Sequence, residues 1–233
     1  MRLDLTVALP SYREAANLAR ILPRLHDVLG PTGLRYELLV IDTPSALDET
    51  PALCREYLAR HVCRAGGLEY GNAVRTGIRE ALGQYVVFMD ADGSHPPEFV
   101  VKMLERRFDA DIVVASRYVA GGGSDNGLAL RAMSRLLNWS YGAVLGIKCR
   151  DVSNSFRLYQ LELLKGLNLR CNDFDIVEEI LMKSFMASKN LRLCEIPFKF
   201  LRREEGTSKR NLSKFVYSYV VTLFRLLALR LTA

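Results

Sequence analysis

Two carboxylates separated by one residue, Asp90 and Asp92, follow the apolar run Tyr85 to Met89. An uninterrupted apolar run of this length is typical of a strand buried on both faces. Two carboxylates at i and i+2 of a tight turn can reach one hard divalent cation, and the cation relieves their mutual repulsion. A solvated turn that caps the next helix is the alternative. The strand before the pair and the segment Ser94 to Glu98 after it favour metal binding.

Strands and helices alternate along the chain, which predicts a mostly parallel sheet covered by helices on both faces. In such a sheet, ligands bind at the carboxyl ends of the strands, where the two carboxylates lie. Hydrophobic periodicity predicts strands over 3–9, 37–41, 85–89, 111–115 and 191–200. It predicts helices over 14–29, 50–60, 70–82, 97–107, 128–146, 173–188 and from about 211 onward.

The segment Asp90 to Glu98, Asp-Ala-Asp-Gly-Ser-His-Pro-Pro-Glu, resembles a segment of dolichol-phosphate mannose synthases and related polyprenyl-phosphate glycosyltransferases. These enzymes belong to glycosyltransferase family 2. Other motifs similar to that family's follow in its order, and they lie at Leu9 to Leu18, Gly71 to Gly77, Ser116 to Gly122 and Arg203 to Lys209. The resemblance covers residues 5 to about 214.

The resemblance implies the GT-A fold, an α/β class with a mostly parallel, Rossmann-like sheet flanked by helices. Residues 1–210 would form the catalytic domain, and residues 211–233 would form a C-terminal amphipathic helix. The implied reaction is inverting transfer of a hexose from a nucleotide diphosphate sugar to a polyprenyl phosphate. The mannose-synthase likeness favours GDP-mannose over UDP-glucose and UDP-N-acetylglucosamine as the donor.

The family's donor-binding positions have counterparts in this chain. Those that hold the nucleotide are matched by Pro10, Tyr12, Glu14, Asp42 and Asp90. Asp42 matches the first Asp of the family's Asp-Asp-Gly-Ser loop, although Thr43 and Pro44 replace the next two residues. Asp90 and Asp92 match the ligands of a Mg²⁺ or Mn²⁺ ion, which would bridge the diphosphate and neutralise the leaving group.

The implied acceptor, a polyprenyl phosphate, is already ionised near neutral pH. It therefore needs positioning and charge compensation rather than a base. The family positions that bind donor and acceptor phosphates are matched by Arg117, Arg203, Ser208 and Lys209, and at looser spacing by Arg131, Ser134 and Arg135. Among all these matched residues, a direct part in the transfer is expected of Asp92, Arg117 and Arg203.

Two departures from the family pattern leave other interpretations open. Asn154-Ser155 stands where the family has Ser-Gly before Phe-Arg, and the loss of glycine's freedom is consistent with a different acceptor. If that acceptor were a saccharide hydroxyl, a base would be required, and the candidates are Asp175, Glu178 and Glu179. The same carboxylates also fit the acidic first turn of a helix. A non-catalytic partner subunit is a third interpretation, because two family motifs, Asp-Asp-Gly-Ser at 42–45 and Ser-Gly-Phe-Arg at 154–157, are only partly retained.

The C-terminal segment predicts contact with a membrane. Residues 198–233 contain eight basic and two acidic residues, so they carry the whole formal charge of +6. Apolar residues from Leu212 to Leu227 recur at helical spacing, which favours an amphipathic helix on an anionic membrane surface over a helix packed on the domain. Nucleic acid is not an expected partner, because this basic segment is apolar rather than rich in stacking side chains.

The cysteines complete the expected setting of the chain. Five cysteines, an odd number without a CxxC pair, predict reduced thiols in a cytoplasmic protein. We therefore expect a peripheral protein at the inner face of the membrane. No Gly-x-Gly-x-x-Gly follows the first strand, which argues against a nicotinamide-dependent dehydrogenase. The sequence leaves the oligomeric state open.

Overall fold

The computed structural model describes residues 3–124, 128–200 and 212–232, and the side chains of 128–131, 212–216 and 218 lie outside that description. The described strands are β1 Leu3–Pro10, β2 Tyr36–Asp42, β3 Arg60–Cys63, β4 Gly83–Phe88, β5 Ile112–Ser116, β6 Gly123–Ser124, β7 Arg157–Gln160, β8 Leu193–Pro197 and β9 Lys199–Phe200. The described helices are α1 Ala15–Leu29, α2 Thr50–Glu56, α3 Tyr70–Glu80, α4 Glu98–Leu104, α5 Leu128–Leu145, α6 Leu161–Lys165, α7 Ile176–Ala187 and α8 Leu212–Leu231.

Seven strands form one sheet in the order β3-β2-β1-β4-β7-β5-β8. Every neighbouring pair is parallel except those made by β7, which runs antiparallel to both β4 and β5. β1 lies between β2 and β4, with Leu9 beside Val40 and Ala8 beside Phe88. A second, two-stranded sheet pairs β6 with β9. The predicted mostly parallel sheet is confirmed.

Apolar side chains fill both faces of the large sheet, as the run from Tyr85 to Met89 predicts. Alternate residues of β4 point to opposite faces: Val87 joins a cluster with α1 and α4, and Val86 joins a cluster with α3, α5, α6, α7 and α8. Both valines are fully buried. The fold is therefore three-layered, and the carboxyl edge of the sheet remains the place where polar loops meet.

The helix α8 packs on the body of the protein through one face. Tyr219 and Leu226 are buried in the same cluster as Tyr141 of α5, and the Tyr141 hydroxyl donates a hydrogen bond to the Tyr219 carbonyl at 2.8 Å. The predicted boundary between residues 210 and 211 lies outside the described residues. The division of the chain into two parts there stays a prediction.

Several predicted elements differ from those of the structure, and the helix expected over 97–107 ends at Leu104. The helix expected over 50–60 ends at Glu56, because Leu58 adopts a left-handed φ of 51°, and the chain then forms β3. The strand expected over 191–200 divides into β8 and β9 directly after Pro197. β7 was not predicted, because it starts with a charged residue, Arg157, that the fold buries completely.

Candidate functional site

A cleft of about 260 Å³ opens at the carboxyl ends of β1 and β4. It is lined by Pro10, Ser11, Tyr12, Glu14, Arg64, Leu68, Tyr70, Asp90, Ala91, Asp92 and Phe174. Five residues that the sequence predicts for donor or metal binding are therefore together here: Pro10, Tyr12, Glu14, Asp90 and Asp92.

His95 supports the turn that carries the two carboxylates. The backbone N–H of Asp90 donates to His95 Nδ1 at 3.0 Å, so this ring nitrogen is unprotonated and the neutral ring carries its hydrogen on Nε2. Burial lowers the pKa of His95, which keeps the ring neutral. The ring stacks on Phe156 with centroids 4.5 Å apart. His95 therefore has a structural role at this turn.

Asp92 is fixed by the residues that follow it. Its Oδ1 accepts hydrogen bonds from the backbone N–H and the hydroxyl of Ser94, at 3.1 and 2.5 Å. Gly93 between them has a φ of 82°, a left-handed conformation that glycine adopts without strain. Asp92 Oδ1 is therefore bonded within the turn, and Asp92 also lines the cleft.

Asp90 is contacted by hydroxyl groups from two distant segments. Ser155 Oγ lies 3.2 and 3.1 Å from the two carboxylate oxygens of Asp90, and the Tyr70 hydroxyl lies 3.4 Å from Oδ1. Burial and the nearby Asp90 charge raise the pKa of Tyr70 well above its usual value. The phenol therefore stays protonated and acts as a hydrogen-bond donor.

Two aromatic side chains form one wall of the cleft. Tyr70 and Phe174 are stacked, with ring centroids 4.2 Å apart and planes within 9° of parallel. Gly71 makes this approach feasible, because its N–H donates to the Asn172 carbonyl at 2.6 Å and a Cβ there would lie 2.4 Å from the Cys171 carbonyl oxygen. Tyr12, about half exposed, stands elsewhere on the same cleft. The sequence did not predict this stacked pair.

Arg64 joins the strand ends that border the cleft. Its buried guanidinium donates to the backbone carbonyls of Ser11, Asp42 and Leu68, which belong to three separate segments. Arg64 was not predicted from the sequence, because it lies directly after the unpredicted strand β3. Had β3 been recognised as a strand, the arginine directly after it would have been a candidate residue for the site.

Asp42 lies behind the cleft rather than among its lining residues. Its side chain is buried and accepts hydrogen bonds from the Thr43 N–H at 2.7 Å and from His61 Nε2 at 3.1 Å. Its predicted part in holding the nucleotide therefore stays a prediction. Asp48, a few residues on, accepts from the backbone N–H groups of Ala15 and Thr50 at the starts of α1 and α2.

Arg117 forms a two-pronged ion pair with Asp151, which is fully buried. Its Nε and Nη2 donate to the two Asp151 oxygens at 2.8 and 2.7 Å, and Nη2 also donates to Ser153 Oγ at 2.9 Å. Although burial opposes it, the Asp151 carboxylate raises the pKa of Arg117 above its usual value. The structure therefore shows a structural ion pair at a residue predicted to bind phosphate.

The other predicted phosphate-binding residues are described only in part. Ser134 Oγ accepts a hydrogen bond from the Tyr118 hydroxyl at 2.7 Å, and the Arg135 guanidinium lies 5.8 Å from the centre of the Tyr118 ring. Both residues therefore lie on α5, beside the residue that follows Arg117. The predicted residues outside the described side chains are Arg131, Arg203, Ser208 and Lys209.

The three candidate bases of the saccharide-acceptor interpretation are engaged away from the cleft. Burial acts to raise the pKa of Glu179, but hydrogen bonds from Lys183 and from the Cys171 and Arg170 N–H groups outweigh it and lower the pKa. Glu178 is buried, and burial raises its pKa to about 7. Asp175 accepts a hydrogen bond from the Thr222 hydroxyl of α8 at 3.2 Å. None of the three lines the cleft that the described residues form.

The cleft fits a divalent cation only if the donor supplies part of its ligands. Two carboxylates that line one cleft are the hard oxygen ligands that Mg²⁺ and Mn²⁺ prefer. No cluster of three or more His, Cys, Asp or Glu within the described ranges could hold a metal ion alone. Ser11 Oγ, buried at the cleft, has no hydrogen-bond partner among the described residues and could bond to a ligand.

Comparison with protein families gives a match over most of the chain. Residues 6–167 match the family model described as Glycosyl transferase family 2. A dolichol-phosphate mannosyltransferase of Pyrococcus furiosus is 31% identical over 232 residues, and the match covers 97% of this chain and 64% of that protein. The chain thus spans just under two thirds of that relative's length.

Two further relatives and a solved structure show the same likeness. A dolichol-phosphate mannosyltransferase of Saccharomyces cerevisiae is 30% identical, with 96% of this chain and 86% of the relative covered. A polyprenol monophosphomannose synthase of Mycolicibacterium smegmatis is also 30% identical, with 88% and 80% covered. The crystal structure of Mycobacterium tuberculosis glucosyl-3-phosphoglycerate synthase with phosphoglyceric acid superposes with a TM-score of 0.74 at 19% identity, over 97% of this chain and 80% of that one. This last match shows the fold, and the predicted GT-A class is confirmed.

Proposed function

Because the chain belongs to glycosyltransferase family 2, we propose that it transfers mannose from a nucleotide diphosphate sugar, GDP-mannose, to a polyprenyl phosphate. The observation that carries this proposal is the cleft in which Asp90 and Asp92 meet Tyr12 and Glu14. Relatives named as dolichol-phosphate mannosyltransferases, about 30% identical over nearly the whole chain, support the choice of sugar and acceptor.

The cleft offers a separate group for each part of the donor. Tyr12 and Glu14 at the end of β1 would contact the nucleoside, with the ring against ribose or base and the carboxylate accepting a hydroxyl or N–H. Asp90 and Asp92 would hold Mg²⁺ or Mn²⁺, which when bound stabilises the charge that develops on the diphosphate leaving group. Solved neighbours that contain UDP with Mn²⁺ or Mg²⁺ support the use of a divalent ion.

The acceptor phosphate needs no base, because it is an anion that can attack the sugar carbon directly. The backside attack that inverts the configuration requires the acceptor to be positioned opposite the leaving diphosphate. Arg203, Ser208, Lys209 and Arg131 are proposed to bind phosphate groups during this step. The burial of Glu178 and the hydrogen bonds that Glu179 accepts inside the fold support an acceptor that requires no base over a saccharide hydroxyl.

We propose that the protein also contacts a membrane, through two helices. Exposed apolar side chains recur at helical spacing along α8, at Tyr217, Val220, Val221, Phe224 and Leu231, and along α5, at Leu136, Trp139 and Val144. The Tyr141–Tyr219 contact joins the two helices side by side, and the exposed Arg225 borders the apolar stripe. Such a surface fits the interface of an anionic inner leaflet. None of the described helices is long and apolar enough to span a bilayer.

Nucleotide binding tests the donor site first. GDP, UDP, GDP-mannose and UDP-glucose are titrated calorimetrically with Mn²⁺ and with a chelator. The proposal predicts binding of the guanosine series that requires Mn²⁺. Binding of the uridine series alone would identify a uridine diphosphate sugar as the donor instead. Absence of binding by every nucleotide would favour a non-catalytic partner subunit.

A further inference from the structure

The Asp90 carboxylate receives hydrogen bonds from two residues that no motif assigns to the donor site. Ser155 lies in the segment before β7, and Tyr70 is the first residue of α3, so both hydroxyls come from elements remote in sequence from Asp90. The Ser155 hydroxyl lies 3.1 and 3.2 Å from the two Asp90 oxygens. Asp90 is therefore held from two sides.

The positions of both hydroxyls are fixed by their own surroundings. Asn154, next to Ser155, donates from its buried amide to the Ala115 carbonyl at 2.5 Å, which anchors the segment at the end of β5. Tyr70 is stacked on Phe174. Ser155 itself is 8% exposed. Neither hydroxyl depends on a ligand for its place, so both can act before the donor arrives.

The chemical nature of these partners matters for cation binding. An arginine or lysine beside Asp90 would cancel the charge that a divalent ion requires, whereas a neutral hydroxyl restrains the carboxylate and leaves its charge in place. The imidazole Nε2 of His95 lies 3.9 Å from Asp90 Oδ2, beyond hydrogen-bond distance. Among the residues that the structure describes, the side chains that donate to the Asp90 carboxylate are the hydroxyls of Ser155 and Tyr70, and no arginine or lysine forms an ion pair with it.

We propose that Ser155 and Tyr70 are positioning residues that orient the Asp90 carboxylate toward the cation of the metal–nucleotide complex. This inference rests on the proposed function of the cleft. Ser155 stands where the resembling family has glycine, so its hydroxyl is an addition of this chain. The replacement of glycine by Ser155, which the sequence linked to the acceptor, thus acts on donor binding.

The experiment compares Ser155→Ala and Tyr70→Phe with the wild-type chain. Ser140→Ala is the matched control, because among the described residues its hydroxyl bonds to its own helix, at the Leu137 carbonyl. The affinity for Mn²⁺ is measured by calorimetry and by Mn²⁺ electron spin resonance in the presence of saturating GDP. Transfer activity is measured at limiting and at saturating Mn²⁺, and melting temperature is recorded for each protein.

We expect about a tenfold loss of Mn²⁺ affinity in Ser155→Ala and a smaller loss in Tyr70→Phe, as for other removals of a group that orients a metal ligand. Excess Mn²⁺ should restore activity, and the control should match the wild type. Unchanged or tighter Mn²⁺ binding in both variants would overturn the inference, as would a loss of activity that excess Mn²⁺ leaves uncorrected. Failure of the wild type itself to bind Mn²⁺ with any nucleotide would instead overturn the proposed function and this inference with it.

Discussion

Arg117 and Asp151 form a two-pronged ion pair, with nitrogen–oxygen distances of 2.7 and 2.8 Å, in which the carboxylate is fully buried. The Arg117 backbone N–H donates to the same carboxylate at 2.8 Å. Asn138 of α5 donates to Ser153 Oγ, which also accepts from Arg117. Arg117, which the sequence predicts to bind phosphate, therefore connects the end of β5 with the segment after α5 and, through Ser153, with α5 itself.

Asp151→Asn should destabilise the fold strongly. Removal of one partner leaves the Arg117 charge buried without compensation, at a cost of about 3–5 kcal/mol in the free energy of unfolding. Urea denaturation measures this directly. Asp109→Asn, in the exposed pair with Arg106, is the matched control and should change little. Equal stability of Asp151→Asn and the wild type would contradict a structural role for the pair.

His95 should be replaceable by a residue that retains an acceptor where Nδ1 lies. His95→Leu leaves the Asp90 N–H buried without a partner, at a cost of about 1–3 kcal/mol, whereas the amide oxygen of His95→Asn can accept that hydrogen bond. We therefore expect the Asn variant to be the more stable and the more active of the two. Equal stability of both variants would show that the Asp90–His95 hydrogen bond contributes little.

The sequence predicts the sheet, the carboxylate turn and the β1 end of the cleft, because each depends on local pattern or on a contiguous motif. It does not predict Arg64 or the Tyr70–Phe174 stack, since these depend on contacts between segments that are distant along the chain. Arg117 shows the converse: a motif match identified the residue, but only the fold reveals that Asp151 engages its guanidinium. Partners of this kind become visible only once the register of the sheet is known.

Glu178 should make stability fall as pH rises through neutrality. Burial raises its folded-state pKa from 4.5 to about 7, so the folded protein takes up a proton that the unfolded chain releases. Its stabilising contribution is complete below about pH 4.5 and is lost as pH rises through about 7.

Glu178→Gln is the variant that tests this pH dependence. It should gain up to about 3 kcal/mol relative to wild type between about pH 4.5 and pH 8, because each pKa unit corresponds to 1.36 kcal/mol. Thermal unfolding of both proteins across this range measures the difference. A constant difference between them at every pH would contradict the raised pKa.

Trp139 should contribute to membrane binding although it lies outside the C-terminal helix. Its side chain is 69% exposed on α5. Trp139→Ser should weaken binding to anionic vesicles about tenfold, since it removes a large amphipathic ring from the proposed interface. Vesicle flotation with phosphatidylglycerol measures the loss. Leu58→Ser, which removes an 86% exposed side chain near β3, is the control, and equal losses in both variants would contradict the proposed surface.

Transfer of labelled mannose from GDP-mannose to polyprenyl phosphate in detergent micelles is the direct test of the proposed reaction. We expect mannosyl phosphoryl polyprenol from the wild type with Mn²⁺, none with chelator, and none from Asp92→Asn, whose melting temperature should match that of the wild type. Full transfer by Asp92→Asn, or transfer undiminished by the chelator, would contradict the role assigned to the carboxylate pair. Absence of product from the wild type with every nucleotide sugar and Mn²⁺ would contradict the proposed reaction.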